Sequence, residues 1–334
     1  MSNLPVFLAA AVAAVVTALT GFKLIPFLKK IHFGQTILDI GPRWHKSKQG
    51  TPIMGGFMFI IGILLAVLVA YIVAVLAVPE IVQNQAYNLK LFAGIIMALG
   101  FSFIGFLDDY IKAVKKRNLG LNEKQKLILQ FVVAAVYMIL LYCAGDSSTI
   151  VALPFLGQIN LGFFYYPLAM IGIVFLVNAV NLTDGIDGLD SSVTFVVALG
   201  FLVISGMLSV APMSILSAAL AGGCLGFLFW NIHPAKIFMG DTGSMFLGGM
   251  VVALGFGVNF PLILVFAGIL YIIEALSVVI QVTSFKLTGK RVFKMSPIHH
   301  HFEMSGYGEN KIVILFSAVA LIGVLLSIAA VVML

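Results

Sequence analysis

Two adjacent aspartates, Asp108 and Asp109, close an apolar run and are followed by Lys112. On a continuing helix, Asp108 and Lys112 share one face at i,i+4, and Asp109 points about 100° away. Neighbouring carboxylates at a membrane boundary are costly unless a cation or a phosphate-bound metal neutralises them. The bland alternative is a helix end reaching into water.

A second stretch is richer. Asn178, Asn181, Asp184, Asp187 and Asp190 recur every third residue, with Gly185 and Gly188 between them. On a helix this register lines one side with oxygen atoms while drifting slowly round the axis. Hard oxygens beside glycines that allow close backbone approach suit Mg²⁺ and phosphate-bearing ligands. Asp190, just before Ser191 and Ser192, reads instead as the N-cap of the next helix.

Further along, Asn231, His233, Phe238, Gly240, Asp241 and Ser244 open another apolar segment. A glycine-rich helix start offers free N–H groups and a favourable dipole to phosphate. Asp241 reads as part of such a phosphate-binding helix start or as only a cap, and Phe238 as a stacking face or as core. His299, His300 and His301 follow Pro297 and precede Glu303. Three consecutive histidines point apart and make a poor zinc site, but they fit phosphate hydrogen bonding, with one available for proton transfer. Lys48, ahead of Gly50, Gly55 and Gly56, adds a cation beside a glycine turn. Glu274 stands within an apolar segment, either as a ligand or as a carboxylate satisfied by neighbouring helices. No nucleophilic triad, Walker A loop, dinucleotide fingerprint or paired-carboxylate glycosidase pattern accompanies these motifs.

The elements that must position these residues follow from composition. Of 334 residues, 61% are hydrophobic and 10% charged, which excludes a water-soluble globule. Segments long enough for a bilayer core run over 4–22, 52–78, 91–107, 127–144, 161–179, 193–210, 213–230, 242–260, 261–282 and 312–333. The expected fold is therefore an all-α integral membrane protein of ten transmembrane helices, one polytopic domain over residues 1–334. The first segment lacks a basic flank and a small-residue cleavage site, so it reads as a retained helix.

Charge sets the topology. Of the 19 Lys and Arg residues, only Lys90 falls in an even-numbered loop, which makes the odd loops cytoplasmic and both termini extracytoplasmic. The net charge of +6 then calls for no nucleic acid, because these cations fix topology and meet anionic lipid headgroups. Nearly all the carboxylates and all six histidines share the cytoplasmic face. The positive-inside rule does not demand that, so an active site on that face is the expectation. A secondary transporter would instead place its ionisable groups near the midplane and show repeated halves.

These motifs resemble the phospho-N-acetylmuramoyl-pentapeptide-transferase family, within the polyprenyl-phosphate N-acetylhexosamine-1-phosphate transferases. The resemblance covers the whole chain. The aspartate motifs mark the superfamily; the triple histidine and the run from Gly50 to Gly56 mark the muramoyl branch rather than the N-acetylglucosamine branch. Two positions depart from the pattern: Ile53 stands for Thr, and Leu38 for a residue that is often basic.

The resemblance implies transfer of a phosphosugar from UDP-N-acetylmuramoyl-pentapeptide to undecaprenyl phosphate, giving lipid I and UMP in the bacterial inner membrane. It implies Mg²⁺ on Asp241, and Asp108 accepting a proton from the attacking lipid phosphate or orienting it. Asp109 supports that cluster, and His300 joins the catalytic set. Lys48, Asn181, Asp184 and Phe238 would bind the nucleoside, with Phe238 stacking on uracil. Asp187, Lys112, Lys116 and Lys124 would line the polar pocket. Asn178, Asn231, Gly240, Ser244, His299 and His301 complete the implied substrate-binding set. A homodimer is also implied.

Overall fold

A computed structural model describes residues 3–31, 48–114, 120–153 and 157–333. Lys116 and Leu38 lie outside these residues. The chain runs α1 (Leu4–Lys30), α2 (Gly56–Ala77), α3 (Gln85–Val114), α4 (Glu123–Cys143), β1 (Ile150–Leu153), β2 (Gly157–Asn160), α5 (Tyr165–Thr183), α6 (Leu189–Met207), α7 (Ala211–Asn231), α8 (Gly240–Gly257), α9 (Leu264–Ala267), α10 (Ile269–Thr288), α11 (Ile298–Glu303) and α12 (Glu309–Val332).

Among the described residues, nine helices are long and apolar enough to cross a membrane. The remaining expected segment is α8, which holds the centre of the bundle: every residue from 242 to 257 is buried. It can sit there because small residues let its neighbours close in. Gly249 lies against Ala98 of α3, and Gly248 against the Val177 backbone of α5. On the periphery, Phe7 of α1 and Ile314 of α12 are about seven-tenths exposed, an outward apolar surface that suits hydrocarbon rather than water.

Two features differ from the expected architecture. The ninth segment is not one helix: it breaks at Gly268, where α9 ends and α10 begins. The fold is also not purely helical, because β1 and β2 pair antiparallel with Ile150 opposite Asn160. The short apolar run at 150–153 is followed by Pro154 and by Gly157, whose φ of +97° favours glycine.

The lone basic residue of the even loops has an explanation. Lys90 is buried, its ammonium 2.5 Å from Asp146 and hydrogen-bonded to Asn259. It therefore stitches α3 to the ends of α4 and α8. Along α3 that pair stands about 27 Å from Asp108, so the two ends of the bundle carry separate polar clusters.

Candidate functional site

The larger cluster forms where α3, α4, α5 and α8 meet. Asp108 and Lys112 occupy one face of α3, as their spacing predicts, with Lys112 Nζ 2.5 Å from Asp108 Oδ2. Asp108 Oδ1 accepts a hydrogen bond of 2.8 Å from the Leu121 amide. The next carboxylate turns elsewhere. Asp109 Oδ2 accepts from the Thr242 amide at 2.9 Å and from Thr242 Oγ1 at 2.7 Å, and Oδ1 from the Asp241 amide at 3.2 Å. Asp109 thereby satisfies the free N–H groups at the start of α8, where a negative charge also complements the helix dipole. Gly240 begins that helix with φ +71°, and a Cβ there would stand 2.6 Å from Asp109 Oδ2. No side chain fits.

Held this way, Asp241 faces three donors. Lys126 Nζ lies 2.9 Å and Lys112 Nζ 3.4 Å from its Oδ2, and Asn181 Nδ2 lies 3.1 Å from its Oδ1. Asn181 also donates to Ser244 Oγ at 2.7 Å, which fixes its amide. Asp184, at the C-terminus of α5, is half-buried; its amide donates to the Asn181 carbonyl at 3.4 Å, and its carboxyl group has no hydrogen-bond partner among the described residues. Desolvation first, and then the charges of Asp190, Asp241, Asp109 and Asp187, hold its carboxyl well above the usual carboxylate range. Asp184 and Asp241 supply carboxylate oxygens, the donors that suit Mg²⁺, whereas Asn181 turns its amide nitrogen toward Asp241.

A second cluster adjoins the first through the same loop. Lys48 Nζ is 2.7 Å from both Asp187 Oδ1 and Glu309 Oε2. Asp187 Oδ2 accepts from the Ala235 amide at 2.9 Å and lies 2.9 Å from His233 Nδ1. The Asp187 amide donates to Glu309 Oε2 at 2.9 Å. Asp187, His233 and Glu309 are close enough together to hold a metal ion, but the Lys48 ammonium already neutralises their carboxylates. Above them, backbone bonds from Phe238 N to Pro52 O and from Gly55 N to Phe238 O lock the two glycine-rich turns together and leave Phe238 half-buried.

Residues 91–259 match the glycosyl transferase family 4 model. The chain is 46% identical over 318 residues to a phospho-N-acetylmuramoyl-pentapeptide-transferase of Heliobacterium modesticaldum, covering 95% of each chain. It is 45% identical over 328 residues to the one of Desulforamulus reducens, again covering 95% of each. It is 44% identical over 324 residues to that of Clostridioides difficile, covering 96% of each. The chain belongs to the phospho-N-acetylmuramoyl-pentapeptide-transferase family.

Within this phospho-N-acetylmuramoyl-pentapeptide-transferase fold, several residues expected at the site are bonded to neighbouring helices and turns. The polar register of 178–190 does not line one helix face, because α5 ends at Thr183 and Gly188 turns the chain with φ +76°. Asn178 exchanges hydrogen bonds of 2.8 and 3.1 Å with Gln130, joining α5 to α4. Asn231 is buried and bonds the Gly188 amide and the Ile237 carbonyl, tying the end of α7 to the turn before α6. Asp190 is not an N-cap: Gly188 holds that position, and Asp190 lies inside α6, bonded to Thr194.

The three histidines take different partners, although the His299 and His300 rings touch rather than point apart. His299 is fully buried against Glu274, His300 lies 2.5 Å from Glu303, and His301 Nδ1 accepts from the Lys294 amide. Lys124 is exposed, and it is Lys126 that reaches Asp241. Lys126 was legible from helix phase, since the buried face of α4 carries Gln130, Ala134 and Met138 at four-residue steps, and one step back is 126. Glu309 gave no such signal, because only the packing of α12 brings it to Lys48.

Proposed function

We propose that this chain transfers phospho-N-acetylmuramoyl-pentapeptide from its UDP derivative to undecaprenyl phosphate, giving lipid I and UMP. The family names the activity of its relatives. The observation that carries the reading onto these residues is Lys112, one ammonium in contact with both Asp108 and Asp241. Both substrates are anionic where they react, so the protein must place them and offset their charge more than supply covalent chemistry.

In this account an oxygen of the lipid phosphate attacks the β-phosphorus of the nucleotide. A new P–O bond forms to the lipid, the bond between the α and β phosphoryl groups breaks, and UMP leaves with that electron pair. Asp108 takes the proton of a protonated lipid phosphate, or orients the dianion, in a direct attack without a covalent enzyme intermediate. Lys112 and Lys126 turn from Asp241 toward the diphosphate as it enters. Asp241, with Asp184, would hold Mg²⁺, which when bound neutralises the diphosphate charge. Lys48, Asp187 and Phe238 lie on the nucleoside side, with Phe238 offering its face to uracil and Ser244 keeping Asn181 in place. Asp109 and Gly240 act by fixing the start of α8.

The reading extends to topology: the carboxylate cluster faces the cytoplasm, both termini lie outside, and α8 completes ten crossings in the bacterial inner membrane. A homodimer is the proposed assembly.

The test is UMP release from purified protein with undecaprenyl phosphate and Mg²⁺, comparing two nucleotides. Release from UDP-N-acetylmuramoyl-pentapeptide alone is expected. Release from UDP-N-acetylglucosamine instead would move the chain to the other branch, and release from neither would overturn the transferase reading.

A further inference from the structure

Glu274 and His299 are both fully buried, one on α10 and the other on α11. Glu274 Oε2 lies 3.1 Å from His299 Nδ1 and 3.5 Å from the His299 amide. A carboxylate buried this deeply must be matched by a donor, and among the described residues His299 is the donor it has. With Nδ1 carrying the proton toward Glu274, the imidazole presents Nε2 on its far side. That atom is buried and has no partner, and neither has Glu274 Oε1.

The far side of the ring faces the catalytic loop. An ideal Cβ on Gly185 would stand 2.1 Å from His299 Nε2 and 2.5 Å from Cε1. Gly185 follows Asp184 directly, and its amide is tied back to the Thr183 carbonyl at 2.8 Å. The imidazole therefore packs flush against the backbone of the turn that carries Asp184. The same helix secures the approach: Gln281 of α10 accepts from the Val292 and Phe293 amides and donates to the Phe293 carbonyl. That contact brings the segment before α11 back along α10. The His299 and His300 rings, in turn, meet with centroids 4.1 Å apart.

We propose that Glu274 is a positioning residue for the transfer: it pins His299 against Gly185 and thereby sets the Asp184 turn and the adjacent His300. The inference rests on the proposed function, since transfer is the activity it tunes. It also gives a reason for the carboxylate that α10 carries among apolar neighbours, and for the glycine at 185.

The test is a mutant cycle read by UMP release, with kcat and KM separated and thermal unfolding measured for each protein. Glu274→Leu should unfold at a lower temperature, because the buried His299 loses its acceptor, and the folded protein should lose about tenfold or more in kcat as the turn loosens. Glu274→Gln, which keeps an acceptor for Nδ1–H, should stay within about threefold of wild type. Gly185→Ala alone should lose about a hundredfold through the clash with a pinned ring. In a Glu274→Leu or His299→Ala background the ring can yield or is gone, so the same alanine should cost only about threefold more. A Glu274 that served only helix packing would leave the Gly185→Ala penalty unchanged in every background, and that result overturns the inference. Wild-type kcat in Glu274→Leu overturns it as well. If Glu274→Leu does not fold, Glu274→Ala takes its place in the cycle. A wild-type chain that releases no UMP contradicts the proposed function itself and takes this inference with it.

Discussion

Lys112 Nζ lies 2.5 Å from Asp108 Oδ2 and 3.4 Å from Asp241 Oδ2, so one ammonium links the carboxylate that ends α3 to the one that begins α8. Two carboxylates brought together from different helices repel unless a cation sits between them. Lys112→Met should therefore remove the cation shared by the two and leave Asp241 to Lys126. We expect transfer to fall by about a hundredfold, with Lys112→Arg recovering part of the loss. Steady-state UMP release checks this, and wild-type turnover in Lys112→Met would remove the bridge from the account.

The two lysines of α4 should separate cleanly. Lys126 meets Asp241 at 2.9 Å, whereas Lys124 is exposed. Lys126→Ala should cost about tenfold or more in kcat/KM, and Lys124→Ala less than about twofold. Equal losses would show that the lysines act through net charge rather than through contact with Asp241.

That contrast also shows what the sequence could and could not disclose. Asp108 and Lys112 meet because four residues of helix separate them, a local relationship that spacing alone specifies. Lys126 is readable from the phase of α4, which puts it, and not Lys124, on the buried face. The pairing of Asp109 with Thr242 and of Lys48 with Glu309 joins residues far apart in the chain. Nothing in local periodicity marks such contacts. The oxygen-rich run after Asn178 differs for another reason: the helix stops at Thr183, so a register that would continue along a helix is dispersed by the turn. The apolar segments themselves were plain, because a bilayer imposes a length that composition reveals, whereas the break at Gly268 and the small hairpin carried only weak turn signals.

Asp109 should behave as a helix-anchoring residue rather than as a reacting one. Asp109→Ala removes the acceptor for two backbone amides and a hydroxyl, destabilising the start of α8 by about 1–3 kcal/mol. Hydrogen exchange at the Asp241 and Thr242 amides should accelerate in this variant and stay unchanged in Asp108→Ala. Protected amides in Asp109→Ala would contradict that assignment.

The Asn178–Gln130 pair predicts a loss of stability with activity retained. Asn178→Leu strands the Gln130 amide, which is buried, and should cost about 1 kcal/mol. The double substitution Gln130→Leu with Asn178→Leu should cost less than the sum of the two single changes. Thermal unfolding in detergent reads the stability, and UMP release by the folded protein should remain near wild type. A turnover collapse in Asn178→Leu at unchanged stability would return Asn178 to the substrate pocket.

The most direct test is Asp241→Asn, which keeps the shape of the side chain and removes its charge. Asp241 is where Lys112, Lys126 and Asn181 converge, so the account makes its carboxylate indispensable. With undecaprenyl phosphate, UDP-N-acetylmuramoyl-pentapeptide and Mg²⁺, UMP release should fall by at least about a hundredfold while expression and unfolding temperature match wild type. Turnover near wild type in a folded Asp241→Asn protein would mean that this cluster is not where the transfer occurs.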